Sequence, residues 1–213
     1  SLKSNKLILE DGDIFVIAQK VISKSENRYV NLDDVNPSDR AFELGKDLGR
    51  DPSFIQLILN ESKSIISTEK NVIIVEHNLG FIHINAGIDR SNIPQDKNLV
   101  LLLPLDPSSS ATKIQTFLSQ ELGKNISVVV TDSMSRPYRS GVTNFALASS
   151  NLQSLIDLKG ESDIYGNTLK STEIAIADEL AAAAGLLMGQ GDELQPVVVV
   201  KGFNRSSYDI NNA

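Results

Sequence analysis

A chain of 213 residues, 41% hydrophobic and 22% charged, is sized for one large domain or two small ones, and such a chain buries about 70% of its unfolded surface. Its formal net charge of −7 repels nucleic-acid backbones, so no nucleic-acid partner is expected and any phosphate-bearing ligand needs a local cluster of Lys, Arg or metal. With no cysteine and only His77 and His83 as histidines, disulfide scaffolds, thiolate zinc sites and cysteine nucleophiles are excluded, and a histidine-rich metal centre is not expected. The opening SLKSNKLILEDGD carries no signal-peptide core, and no apolar run nears the ~18 residues of a membrane span. A cytoplasmic chain without membrane contact is the expectation.

Hydrophobic patterning predicts alternating strands and helices. Ile14–Ile22 (IFVIAQKVI) follows the turn Asp11-Gly12-Asp13 and reads as one β-branched strand. Asn36-Pro37 and Asp51-Pro52 each set a capping residue before a proline suited to the first helical position, so a helix should begin at each. Val72–Glu76 and Phe81–Asn85 flank His77-Asn78-Leu79-Gly80 as a hairpin. Leu99–Leu103 is a short buried strand, and Ser108–Ser110 caps a helix that stops near Gly123. Ile126–Thr131 (ISVVVT) is a further strand that empties into a polar loop. Thr172–Met188 is the strongest helix. Its stretch Ala181–Ala184 implies another element lying close against the backbone, so that Ala183→Leu would harm folding or assembly. The loop Gly189–Glu193 and the strand Pro196–Lys201 follow, and 204–213 is a polar tail. The fold class expected is α+β, with mixed β-sheets and packed helices, as one functional domain over residues 1–203.

Three stretches concentrate chemistry. In Asn85-Ala86-Gly87-Ile88-Asp89-Arg90-Ser91-Asn92, a strand whose Phe81, His83 and Asn85 share one face ends in a small-residue turn. That turn bears a carboxylate that suits Mg2+ or Mn2+ and a guanidinium that suits phosphate; a capped turn with a surface ion pair has the same composition. In Thr131-Asp132-Ser133-Met134-Ser135-Arg136-Pro137-Tyr138-Arg139-Ser140-Gly141, Asp132 stands just past a buried strand, where α/β-type folds hold ligands. Ser133 offers a hydroxyl to a cation, Arg136 and Arg139 can clamp phosphate or carboxylate, and Gly141 permits close backbone approach. An ordinary polar loop is the alternative there. Met188-Gly189-Gln190-Gly191-Asp192-Glu193 is first a helix C-cap, with nucleotide wrapping as a second reading, and it is not a Walker A loop. Lys24, at the end of the first predicted strand, suits either a phosphate or plain solvent. His83 reads as a hydrogen-bonded sheet residue, His77 as part of its hairpin, and Glu173, Asp178 and Glu179 as a polar helix face.

Taken in order, AQKVISKSENR, NAGIDRSN, VVVTDSMSRPYRSGVTNFALA and DLKGESDIYGNTLKSTEIAIADELAAAAGLLMGQ resemble the coenzyme F420:L-glutamate ligase family, from about Asp11 to Gly202. The resemblance implies an F420-0:gamma-glutamyl ligase-like α+β fold, assembled as an intertwined homodimer. It also implies a GTP-dependent, GDP-forming addition of L-glutamate to the lactyl carboxylate of F420-0 through an acyl phosphate, with γ-linked extension as an optional further step. By motif match Asp89 and Asp132 would hold one divalent cation, Mg2+ or Mn2+, and Ser133 with Gln190 a second, K+ being an additional candidate. Lys24, Asn92 and the run Met188, Gly189, Gln190, Gly191, Asp192, Glu193, Leu194 and Gln195 would contact GTP, Gln195 by position alone. Arg136 and Arg139 would hold anionic oxygens during catalysis. The family often has a nucleotide-contacting serine where this sequence has Gln19, and a strand and nucleotide loop that precede the segment aligned with Leu2–Glu10 have no counterpart here. Weaker GTP binding with metal binding kept is the expectation from that difference. Two readings compete: a metal-dependent phosphohydrolase built on the same aspartates, and a non-catalytic nucleotide-binding module.

Overall fold

The computed structural model describes residues 7–69, 72–94, 98–136 and 138–203. Strand β1 (Ile14–Ala18) runs into helix α1 (Gln19–Ser25), followed by β2 (Tyr29–Asn31), α2 (Asp39–Leu48) and α3 (Pro52–Asn60). Then come β3 (Ser62–Glu69), β4 (Val72–His77), β5 (Ile82–Ile84), β6 (Leu99–Leu101) and α4 (Pro107–Leu122). A long pair, β7 (Ser127–Arg136) and β8 (Arg139–Ser150), precedes the short β9 (Ile156–Asp157) and β10 (Glu173–Ile174), then α5 (Ile176–Met188) and β11 (Val197–Val200). The expected α+β class with mixed sheets is what these elements make. They form two compact units: one from the chain up to Gln19, Pro107–Ser133 and the chain from Thr143, the other from Lys20–Asp106 and Met134–Val142.

The first unit is built on the sheet β11-β1-β7-β8. β1 pairs in parallel with β7, from Ile14 opposite Ser127 to Ala18 opposite Thr131, and antiparallel with β11. Phe15, Ile17, Val128 and Val130 on one face are as buried as Ile14, Val16 and Val129 on the other, which is why both strands are continuous apolar runs rather than alternating ones. Ile14, Val16 and Val129 pack with Ile176, Leu180, Ala181, Ala184 and Met188 of α5. Parallel pairing puts the carboxyl end of β1 beside Thr131, the last β7 residue of the ladder, at one edge of the paired region. The chain after α5 enters at that same edge, where the Ala18 N–H donates to the Pro196 carbonyl at 2.9 Å.

In the second unit β3, β4 and β5 form an antiparallel sheet and β2 pairs with β6. Its core gathers Leu32, Phe54, Ile55, Ile58, Ile73, Val75 and Val100. α3 starts as its sequence predicts, with Asp51 accepting from Ser53 N at 2.8 Å and Pro52 in the first turn. α2 starts two residues later than expected, because Ser38, not Asn36, supplies the capping oxygen to Ala41 N at 3.3 Å.

Three other expectations are corrected. The strand predicted over Ile14–Ile22 stops at Ala18: Gln19, Ile22 and Ser23 are buried while Val21 and Lys24 are exposed, a helical spacing that β-branched residues had masked. The polar run after ISVVVT is not a loop, since β7 continues to Arg136 and pairs with β8. Thr172–Ala175 is not helical either; Glu173 and Ile174 pair with Asp157 and Ile156. β3 was not anticipated. Its SKSIISTE follows β4 through two register shifts, so its exposure pattern lacks a clean period of two. The polar tail 204–213 lies outside the described residues.

The alanine-rich helix meets its expectation on one face only. Ala181 and Ala184 are 0% and 2% exposed, whereas Ala183 lies on the exposed side, as the 100° step per residue dictates. Ala184→Leu is therefore expected to cost about 1–3 kcal/mol by overpacking, and Ala183→Leu to leave the melting temperature of the chain nearly unchanged. Thermal unfolding of the two variants side by side checks this, and an equal loss in both would show that the outer face is packed as tightly as the inner one.

His77 ends β4 as a buried turn acceptor. Leu79 N–H donates to its Nδ1 at 2.9 Å, and its ring stacks on Phe81 at 5.1 Å. Burial first, then His83 and Arg28, push its pKa down to about 4. Glu61 Oε2, 3.8 Å from Nε2, is too far to hydrogen-bond and hold the proton. Between about pH 6.5 and 4 the unfolded chain binds this proton and the folded one does not, so the His77 contribution is full at neutral pH and lost as pH falls. The stability difference between the wild type and His77→Gln, which keeps an acceptor for Leu79, is expected to shrink by up to about 3 kcal/mol over that window. Urea midpoints from pH 7 to 4 measure it; a constant difference would remove His77 as the proton-linked group.

Candidate functional site

The second unit holds the Asn85–Asn92 turn. Asn85, Ala86 and Gly87 take three consecutive left-handed conformations, with φ of 51°, 53° and 65°. Asn85 Oδ1 accepts from Ile73 N at 3.3 Å, tying the turn to β4. At Gly87 a Cβ would lie 2.8 Å from Leu103 Cδ1, so the close approach demands glycine. The backbone then exchanges two 2.9 Å hydrogen bonds between Asp89 and Leu101, which pin the aspartate to the end of β6.

Two lysines grip this turn. Lys20 Nζ lies 3.1 Å from Asp89 Oδ1 and 3.1 Å from Ser91 Oγ. Lys24 Nζ donates to the Asn92 carbonyl at 2.6 Å. Four residues apart, they share one side of α1. The structure thus brings Lys24 to Asn92 and adds Lys20. The signal for Lys20 was its spacing from Lys24, which means something only once this segment is a helix. Arg90, by contrast, lies over the Phe54 ring at 4.9 Å, as does Arg50. Its composition had suggested phosphate; its position covers the core of this unit.

Arg136 and Arg139 belong to the segment counted with the second unit. Arg139 is exposed. Arg136 Nε is buried without a hydrogen-bond partner among the described residues, an uncommon state for a guanidinium and one that an anion would relieve.

The first unit holds the other candidates. Asp132 and Ser133 are half-buried and follow the fully buried Thr131 within β7, just past the end of its ladder with β1. The loop after α5 is closed by Glu193, whose carboxylate accepts from Gly191 N at 2.8 Å. Backbone N–H groups of Glu193 itself, Gly191 and Gln190 hold its carboxyl below the usual range. A Cβ at Gly189 would run into that carboxylate. Met188 has its side chain in the α5 core, which leaves its backbone as the part able to meet a ligand. Leu194 is 90% exposed. Gln190 Nε2 donates to Asn144 Oδ1 at 3.1 Å, and Asn144 is a residue the sequence reading missed.

Asp89, Asp132, Ser133 and Gln190 offer only oxygen donors, which suits hard cations such as Mg2+ or Mn2+. No group of three or more His, Cys, Asp or Glu is assembled among the described residues. Among the described residues no helix is long and apolar enough to cross a membrane.

The sequence matches the F420-0:Gamma-glutamyl ligase family model over residues 1–202. The coenzyme F420:L-glutamate ligase of Methanocaldococcus jannaschii is 44% identical over 196 residues, 92% of this chain and 78% of the relative. That of Methanothermobacter thermautotrophicus is 43% identical over 195 residues, 92% and 77% of the two chains. That of Archaeoglobus fulgidus is 39% identical over 203 residues, 95% and 80%. Likeness of this extent, across the aspartate turn and the loop after α5 alike, means that the chain belongs to the F420-0:gamma-glutamyl ligase family.

Proposed function

We propose that the chain joins the lactyl carboxylate of F420-0 to the amine of L-glutamate in a GTP-dependent, GDP-forming reaction. The observation that carries this reading is the similarity over 92% of the chain to relatives named coenzyme F420:L-glutamate ligase. The lysine-gripped Asp89 turn supports it, being a local cationic cradle on an acidic protein.

A carboxylate is a poor acyl donor. In the proposed path a carboxylate oxygen of F420-0 takes the γ-phosphoryl group of GTP, the bond to the β-phosphate oxygen breaks, and GDP leaves. The glutamate amine then attacks the acyl carbonyl, phosphate departs with the bonding pair, and the nitrogen loses a proton. Both steps gather negative charge on phosphoryl or carbonyl oxygens, so the chain needs placed cations and N–H groups rather than a nucleophilic side chain. Lys24, Asn92 and the loop from Met188 to Gln195 are the proposed triphosphate contacts. Arg136 and Arg139 are the proposed anion holders, and the unsatisfied Arg136 Nε supports the first of these. Asp89, Asp132, Ser133 and Gln190 are the proposed ligands of two divalent cations, Mg2+ or Mn2+, with K+ as a further candidate. Bound there, the cations would draw charge from the phosphoryl oxygens. A homodimer in the cytoplasm, with γ-linked extension as an optional second activity, completes the proposal.

Stoichiometry tests the reaction. GDP release is expected to require F420-0 and glutamate together. Release in the absence of both would indicate a phosphohydrolase, and no release under any condition a binding module. Asp132→Asn is expected to fold normally and to lose 10²–10³ in turnover, corresponding to about 3–4 kcal/mol of lost transition-state stabilisation. Asp89→Asn should behave alike, with the double variant far from multiplicative if one cation is shared. Near wild-type turnover of Asp132→Asn at saturating Mn2+ would remove it from the metal site.

A further inference from the structure

We propose that Asn144 is a positioning residue: it turns the Gln190 amide so that the carbonyl oxygen, and not the nitrogen, is presented to a cation. The proposal rests on the reading of Gln190 as a metal ligand.

The argument is one of donors and acceptors, followed from a fixed end. The Phe145 carbonyl can only accept, and the Thr131 hydroxyl lies 2.8 Å from it. The second carbonyl near that hydroxyl, of Asp132 at 3.3 Å, is likewise only an acceptor. The single Thr131 proton is therefore committed to a backbone carbonyl, and its lone pairs face Asn144. Asn144 must answer with its Nδ2, 3.3 Å away. The planar amide then offers Oδ1 on its other side, and Gln190 must meet that oxygen with Nε2, at 3.1 Å. What remains of the Gln190 amide is Oε1, the half that a cation can use.

The surrounding packing holds this relay in place. Thr131 is 1% exposed, which fixes its hydroxyl, and it directly precedes Asp132 and Ser133. On α5 the position over Asn144 is Gly185, where a Cβ would fall 2.5 Å from Asn144 Oδ1 and 2.6 Å from its Cγ. The helix has given up a side chain at the place where this amide passes. Gln190 itself is exposed, so without Asn144 nothing in the relay would favour one face of its amide over the other.

Mn2+ titration, with free ion followed by electron paramagnetic resonance and Mn2+ as the sole ligand, tests the relay. Gln190→Ala is expected to weaken one bound ion. Asn144→Ala should weaken the same ion by about 10–100-fold, as loss of a ligand's orienting partner does. The double variant should be no weaker than Gln190→Ala alone. Thr131→Val, which keeps the volume and removes the hydroxyl, should weaken the ion without replacing Asn144, and so covers the case in which Asn144→Ala does not fold. If Gln190→Ala weakens the ion while Asn144→Ala and Thr131→Val leave it unchanged, the positioning role is overturned and Gln190 stands as a ligand. If Gln190→Ala itself changes nothing, the ligand reading fails and the proposal goes with it.

Discussion

Parallel pairing of β1 with β7 is the constraint on which the rest of the molecule depends. It requires apolar side chains on both faces of both strands, and IFVIA and SVVVT supply them. With the ladder between the two strands saturated by hydrophobic contact, polar chemistry is left to the residues beyond it. Parallel direction then sets Ala18, the end of β1, beside Thr131, the last β7 residue of the ladder. Because β11 runs the other way, the end of the glycine-bearing loop reaches the same edge through the Ala18–Pro196 hydrogen bond. One pairing decision thus gathers Gln19, Asp132, Ser133 and the approach to Pro196 at a single border of one sheet.

The second unit separates its cations by task. Arg28 donates to the Leu103 carbonyl at 2.8 Å and lies 3.3 Å from Glu61, while Arg50 and Arg90 cover Phe54. Arg28 is thus tied into the hydrogen bonding of this unit, and Arg50 and Arg90 lie on one of its core rings. Lys20 and Lys24 instead converge on the Asp89–Asn92 turn. Lys20 and Asp89 retain 26% and 22% of their side-chain exposure, and ion pairs so open to water contribute little stability, about 0–1 kcal/mol. The pair matters for charge placement: it sets an ammonium against the carboxylate proposed for a cation, on a chain whose net charge is −7.

Where chemistry is local, the sequence was readable. Asp51-Pro52 starts a helix because one carboxylate and one ring satisfy that helix's own first turn, and His77-Asn78-Leu79-Gly80 closes a hairpin by its own backbone bonds. Where long-range contact decides, it was not. IFVIAQKVI is equally apolar as strand or helix, and only the burial of Gln19 and Ser23 selects the switch at Ala18. The serine-rich run after Thr131 is polar enough for a loop, yet pairing with β8 makes it strand. The same division holds for the candidate functional residues. Asp89, Asp132 and Gln190 are visible as motifs, whereas Lys20 and Asn144 acquire their roles from partners 69 and 46 residues away in sequence.

The partners in the β1–β7 ladder are more than a hundred residues apart in sequence. Closing a flexible loop of that length costs about 4 kcal/mol beyond the constant term, by the (3/2)RT ln n rule. Most of the intervening chain is the second unit, whose core lies within Lys20–Asp106. Formed first, that unit would replace a long flexible loop by a compact insert and reduce the closure entropy. The expected order of folding is therefore the second unit early and the parallel ladder late. Pulse-labelled hydrogen exchange would show Val75 protected before Val129; the reverse order would mean that the sheet nucleates across the open loop. By the same reasoning, the sheet edge that carries Asp132 and Ser133 is among the last parts of the chain to acquire its final geometry.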